Sequence, residues 1–440
     1  MKSDRYSVST WDNVEYDLPQ TEYAETGSRL QALAERLQLI CIFYIIAWIL
    51  SPPLIAEDLY GYIAMLAAAI WFIVELVGHP STFIKPSRTL IFVILFILYS
   101  GIVGYMTDGG SGVTRNIQMY LSLLFLIFYD SHQRRDIRKL RLVVWASLVI
   151  FSIWLVTTLV AYQVVQNASR ILIRSGDVEA DMMRQGIGGY GLVYGAMIII
   201  PVLLYLLKTH ILPVLTFKIA ALAALILSIF VVIQAGYSIA LILMMAGIII
   251  TLMIGKATAN TLVKTTIVIT VVLLALHLFG NAMLDFVVDS ASGTSYEHKL
   301  QDIRASLESN RGVGTVDDRM ERYLRSLHLF IENPVIGTLS YDHIGKHSAI
   351  IDTFAFYGVI VGYIFAYILF QVPLSYLSRK SSKAFGMSLA MAVVIIAFSC
   401  LDQMYAGFGF FVFIFYPVAM SYVEDNEAIQ ELSHQRSLAV

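Results

Sequence analysis

Charge is scarce in this chain. Of 440 residues only 14% are Asp, Glu, Lys or Arg, 58% are hydrophobic, and mean hydropathy is +0.72. A soluble domain carries about 25% charge, so the composition excludes a water-soluble fold and points to an all-α polytopic membrane protein. Cysteine is scarcer still. Cys41 and Cys400 are the whole supply and both fall in apolar runs, which excludes a disulfide framework or a cysteine metal site. Neither charge sign is in excess, the net charge being −2, so no nucleic-acid footprint exists. There is no G-x-x-x-x-G-K-[ST] and no G-x-G-x-x-G after a strand, so no motif for a nucleotide is present. Residues 1–36 are polar and lack the n-region and h-region of a cleaved signal.

What is present is a series of apolar runs, each near the 17–25 residues that a span needs. They predict about twelve transmembrane helices with two large external loops, the larger one helical. The layout reads as a cytoplasmic segment over 1–36, spans 1–5 within 37–163, an external loop over 164–188 and spans 6–9 within 189–284. A large external helical loop over 285–348, spans 10–12 within 349–423 and a cytoplasmic tail over 424–440 complete it. The fourth span, 115–130, is the shortest. Leu30, Leu33 and Leu37 recur at helical spacing before the first span. They suit either a short interfacial helix or an extension of that span. Lys and Arg concentrate in alternate connections: Arg134, Arg135, Arg138, Lys139 and Arg141 over 131–141, Lys85 and Arg88, and Arg379, Lys380 and Lys383. The excess of such residues on the cytoplasmic side of membranes places both termini inside. The connections on that side are too short for a nucleotide-binding domain. Ionisable residues within the runs sit near their ends, and Asp285, Asp352 and Asp402 collect at the outer boundary.

The large loop is the exception in a greasy chain. Leu300, Ile303 and Leu307 fit one face of a helix over 296–308, and Thr315 with Asp318 resembles a capping box opening a second. Asn333-Pro334 should end that second helix. At 100° per residue Val316, Met320, Tyr323, Leu324, Leu327, Phe330 and Ile331 form one stripe, with Glu321, Arg322, Arg325 and His328 opposite. Arg319, on the border of the stripe, is the arginine expected to enter a packed crevice, whereas Arg322 and Arg325 read most simply as a solvated face. His347 precedes a span, at a helix N-terminus where backbone N–H groups favour anions. His343 and His347 have the i,i+4 spacing of a zinc pair, but Gly345 between them disfavours a helix and no H-E-x-x-H exists, so no metal is expected. In the smaller loop Arg184 precedes Gly186, Gly188 and Gly189 at the membrane edge. Arg170 and Arg174 have an ordinary reading as linker charges.

These motifs carry a resemblance. Arg319-x-x-x-Tyr323 followed by Asn333-Pro334-Val335-Ile336-Gly337 resembles the Arg-x-x-x-aromatic helix ending in Asn-Pro-x-x-Gly of the O-antigen polymerase and O-antigen ligase superfamily. His347-Ser348 followed by nine residues and Gly358 resembles its His-[Asn/Ser/Gln]-x9-Gly signature. Arg184 with the glycines after it resembles the arginine that closes the other external loop. Two departures stand: the next glycine of the signature comes at Gly362, and Gly236-Tyr237-Ser238 replaces a Ser-Arg that the family often shows.

The resemblance implies a multi-pass enzyme of the bacterial plasma membrane. Its donor would be a polyprenyl-pyrophosphate-linked oligosaccharide, with a flippase and a chain-length regulator as further partners besides the lipid bilayer. Glycosyl transfer would need no metal or cofactor. Arginines would neutralise the leaving phosphates, a task that suits a bidentate guanidinium. On that reading His347, Arg319 and Arg184 are the catalytic candidates, with His347 either a general base or a hydrogen-bond partner of the pyrophosphate. Arg322, Tyr323, Arg174, Ser348, His343 and Asp352 are the substrate-binding candidates. A polymerase of repeat units is favoured by Ser348 after the histidine and by Ile351-Asp352. A ligase moving a finished glycan to lipid A core or protein, and a glycan or lipid transporter, are the alternatives.

Overall fold

The computed structural model describes residues 20–108, 116–164, 176–255, 315–378 and 383–438, together with Asp289, Gln301 and Arg304. Every regular element among them is helical. This is the arrangement that hydrocarbon demands, because there the backbone N–H and C=O groups find partners only within the chain. In order the helices are α1 (Gln20–Leu50), α2 (Pro52–Ile55), α3 (Asp58–Gly78), α4 (Ser81–Ile84), α5 (Arg88–Asp108), α6 (Ile117–Val164), α7 (Gly176–Arg184) and α8 (Tyr190–Lys208). There follow α9 (Leu215–Ala235), α10 (Ser238–Met253), α11 (Thr315–Glu332), α12 (Ala349–Leu377), α13 (Phe385–Leu401) and α14 (Ala406–Phe410). A π turn (Phe411–Phe415) leads from α14 into α15 (Tyr416–Leu438).

Among the described residues eight helical segments are long and apolar enough to cross a membrane, with α10 and α13 shorter apolar helices, so the chain is an α-helical polytopic protein. Three segments refine the layout. The run over 115–130 is the first of two helices within α6 that meet at a kink at Asp136, so the expected 131–141 connection contracts to that kink. Asp136 alone departs from helical geometry (φ −153°, ψ 83°). Ser131 to Arg141 contains neither glycine nor proline, so helical geometry runs up to the kink from both sides. The leucines before the first span belong to an unbroken α1, which is the extension and not a separate interfacial helix. The tail beyond Val423 continues as α15. The expected span at 261–284 lies outside the described residues, as do Arg170, Arg174 and all of 296–308 but Gln301 and Arg304.

Gly407–Leu432 and α8 form the interior of the bundle, with 94% and 78% of their apolar windows buried, against 28% for α3 at the rim. A second device holds the rim. Glu75 on α3 is fully buried and takes hydrogen bonds from Gln38 on α1 (2.9 Å), Thr82 on α4 (2.9 Å) and Ser131 on α6 (2.8 Å), besides an ion pair with Arg135 on α6. A carboxylate placed in so dry a position costs several kcal/mol (about 3 or more) unless it is paired and fully hydrogen-bonded, and this one is.

The element that positions the site is α12, which is broken at Gly358 (φ 77°, ψ −176°). The turn after α11 fills the break. Thr338 N–H donates to Ala355 O (2.9 Å), Leu339 N–H to Phe356 O (3.0 Å), and Val359 N–H to Pro334 O (2.8 Å). The backbone groups freed by the break are thus satisfied from the turn, as a low-dielectric setting requires. The approach leaves no room for side chains. A Cβ on Gly337 would strike the Phe356 carbonyl, and one on Gly358 the Val335 carbonyl. The two glycines of the Asn-Pro-x-x-Gly and His-Ser-x9-Gly motifs therefore lie at one contact.

Candidate functional site

Three elements converge beside the start of α12. The first is α11, with Asp317 and Asp318 in its first turn where the helix dipole favours them. It ends at Glu332, as the Asn333-Pro334 signal predicts. Its seating differs from the expectation. The stripe divides: Phe330 packs edge-on against Phe354 of α12 (5.5 Å between centroids), while Met320, Leu324, Leu327 and Ile331 stay exposed. Arg322 is half-buried and not on a solvated face. The cause is a polar contact that periodicity does not record. Ser326, fully buried, donates to Asp352 Oδ1 (2.5 Å) and accepts from Gly345 N–H (2.8 Å). Gly345 comes so close that a Cβ on it would collide with the Arg322 carbonyl.

The second element is the loop that ends at α12. Ser348 is the N-cap and accepts from Ile351 N–H (3.1 Å). Asp352 Oδ2 reaches back to the N–H groups of His347 (2.7 Å) and Ser348 (2.8 Å), the reciprocal logic of a capping box. Lys346, left-handed at φ 60°, lays its ammonium over the Tyr341 ring (4.4 Å). These contacts fix the backbone on both sides of His347.

The third element is the end of α13. Tyr323 OH donates to Leu401 O (2.7 Å) and Ala349 N–H to Asp402 O (2.9 Å). Asp402 is buried, and three neutral donors serve its carboxylate: Tyr194 OH (2.5 Å) on one oxygen, Gln403 N–H (2.8 Å) and Tyr405 OH (3.1 Å) on the other. Tyr194 and Tyr405 belong to a stack of near-parallel rings with Tyr190 and Tyr237, 4.4–6.0 Å apart.

Arg319, Arg322, Asp352 and Asp402 all bear electrostatically on His347. Burial lowers the His347 pKa first, the charges of Arg319 and Arg322 lower it further, and Asp402 and Asp352 oppose them without prevailing. The imidazole is therefore neutral at pH 7, able to accept a proton. Burial alone would depress the Arg319 pKa as well, but Asp402, Tyr194 and Tyr323 more than compensate and raise it. Arg319 carries its charge with Nη1 buried and without a hydrogen-bond partner. Among the described residues neither Arg319 nor Arg322 is in an ion pair, because both neighbouring carboxylates are taken up by neutral donors. Cations outside any ion pair suit an anionic ligand. A cavity of about 290 Å³ adjoins Ser348 and Asp352 and is lined also by Asn116, Gln118 and Gln403. A second, of about 200 Å³, is lined by Gln118, Tyr190, Tyr405 and Leu192.

The other candidates stand differently. Arg184 is exposed, its guanidinium bonded to Glu57 (2.7 Å) and Asp181 (2.9 Å) and to no member of this cluster. Those two carboxylates raise its pKa. His343 is exposed, and His328 pairs with Glu332 (3.2 Å) on the outer side of α11. Arg174 lies outside the described residues. Among the described residues no group of three or more His, Cys, Asp or Glu side chains is placed to hold a metal ion. Sequence reasoning misses the parts played by Asp402, Tyr194 and Tyr405. The signal for Asp402 was there, an acid closing an apolar run where charge is costly. Nothing local marks the tyrosines. Comparison with protein-family models gives no match, and comparison with curated proteins gives none either.

Proposed function

We propose that this chain is a glycosyltransferase of the bacterial plasma membrane. It would join polyprenyl-pyrophosphate-linked oligosaccharide repeat units into a surface polysaccharide at the outer face. One observation supports the reading: two arginines outside any ion pair bear electrostatically on an imidazole at the mouth of a membrane helix, while both nearby acids are hydrogen-bonded to neutral donors. The motif resemblance supplies the substrate class. The full topology on this reading has about twelve spans, with both termini cytoplasmic.

In the reaction an acceptor hydroxyl oxygen attacks the anomeric carbon of the donor glycan. The bond from that carbon to the phosphate oxygen breaks, and polyprenyl pyrophosphate departs with the electron pair. His347 takes the hydroxyl proton. Arg319 and Arg322 stabilise the charge that grows on the leaving phosphate. Asp352 and Ser348 act on His347 through its backbone, and Arg184, held by Glu57 and Asp181, takes no part in the leaving-group site.

The test is incubation of purified protein in liposomes with one defined lipid-linked repeat unit. A ladder of products is expected, and Arg319→Ala should slow it by about 10²–10³. Lysine at 319 should rescue poorly, since an ammonium lacks the bidentate fork. Transfer only to a second acceptor would make this a ligase, and movement of an unaltered lipid-linked glycan across the bilayer would make it a transporter. Either outcome overturns the proposal.

A further inference from the structure

Helix α11 has three faces, and the proposed reaction uses only one. At about 100° per residue the first face holds Arg319, Arg322, Tyr323, Ser326 and Phe330, turned to α12 and α13. The second holds Glu321, Arg325, His328 and Glu332, exposed and paired within the helix as Arg325–Glu321 (2.6 Å) and His328–Glu332 (3.2 Å). The third lies between them and is apolar and bare. Met320 is 54% exposed, Leu324 55%, Leu327 45% and Ile331 65%. This stripe does not stop with the helix. Val335 and Ile336 in the docked turn extend it, and so do Val359, Ile360 and Tyr363 on the far side of the break in α12.

That continuation identifies the occupant. α12 is long and apolar enough to span the bilayer, so its exposed Val359 and Ile360 face acyl chains, and a surface continuous with them meets the same medium. The adjoining charged face fixes the other side as water. We infer that α11 is seated in the membrane boundary, with the Met320–Leu324–Leu327–Ile331 stripe in the acyl layer and the Glu321–Arg325–His328 face in water. The pattern is that of an interfacial amphipathic helix, reached here from burial and not from the sequence moment, which merges two of the three faces. The inference rests on this surface alone and stands or falls apart from the reaction.

The test uses single cysteines, each bearing an environment-sensitive fluorophore, in protein with Cys41→Ala and Cys400→Ala, reconstituted in liposomes. At Leu324→Cys and Ile331→Cys emission should shift to the blue and be lost in brominated phospholipid, while aqueous iodide leaves it unchanged. At Glu321→Cys and His328→Cys the order should reverse. Iodide quenching at 324 and 331 would overturn the inference, because the stripe would then face water. Protection from both quenchers would overturn it too, because another part of this chain or a second protein would be the cover. Met320 in the unsubstituted protein gives a readout without mutation. Its thioether should resist a water-soluble oxidant in liposomes, and oxidation as fast as in the unfolded chain would count against the inference.

Discussion

A half-buried imidazole between two arginines resists protonation, and this sets the pH behaviour of the site. Desolvation, Arg319 and Arg322 all depress the His347 pKa below the ordinary value of about 6.5. Neutral His347 therefore persists below that value, and chain extension should decline only as pH falls beneath the usual imidazole range. Arg322→Gln removes one depressing charge, so its acid limb should move to higher pH. A pH–rate profile measures this, and an unmoved limb would remove Arg322 from the electrostatics of His347. The linkage has the same sign for stability. The native state binds this proton less readily than the unfolded chain, so the contribution is full above about pH 6.5 and is lost as pH falls through the folded pKa. His347→Ala should slow extension by about 10²–10⁴. At this scale the residues of the proposed site were legible as candidates because their motif is local. It did not reveal Asp402, whose partners Tyr194 and Tyr405 meet it only in the folded chain.

Among the elements, the break in α12 is the feature most exposed to test. Gly358 occupies a backbone region open essentially to glycine alone, where another residue costs about 1–3 kcal/mol. The Val335 carbonyl forbids a Cβ besides. Gly358→Ala and Gly337→Ala should each lower the melting temperature in detergent, whereas Gly101→Ala, with open space around it, should not. Equal melting of all three variants would mean that the docked turn does not hold α12. The bounds of α11 were legible, since an acidic first turn and Asn333-Pro334 are read along the chain. Its seating was not, because the apolar moment averages over all faces while Ser326 and Asp352 fix the rotation through one hydrogen bond. The same rotation brings Arg322 to the imidazole.

For the molecule as a whole, composition fixed the class at once, and hydropathy located most of the described apolar helices, with the ends of several differing by six residues or more. The polar middle of Ile117–Val164 reads as a connection, and the structure narrows that connection to the kink at Asp136, since the residues around it tolerate a helix. That middle supplies Ser131 and Arg135 to Glu75. Arg135→Gln should leave a buried carboxylate without its cation and cost about 3–5 kcal/mol. Adding Glu75→Gln should recover part of the loss, which thermal unfolding of the single and double variants would show. A double variant less stable than the single would mean that the ion pair does not govern this contact. The cluster also orders events during synthesis. Gln38 and Glu75 leave the ribosome first, and Arg135 lies 60 residues beyond Glu75, so the early helices enter the bilayer before their counter-charge has been made. The arrival of α6 is then the step that latches them, and until that moment the nascent hairpin of α1 and α3 is a provisional structure.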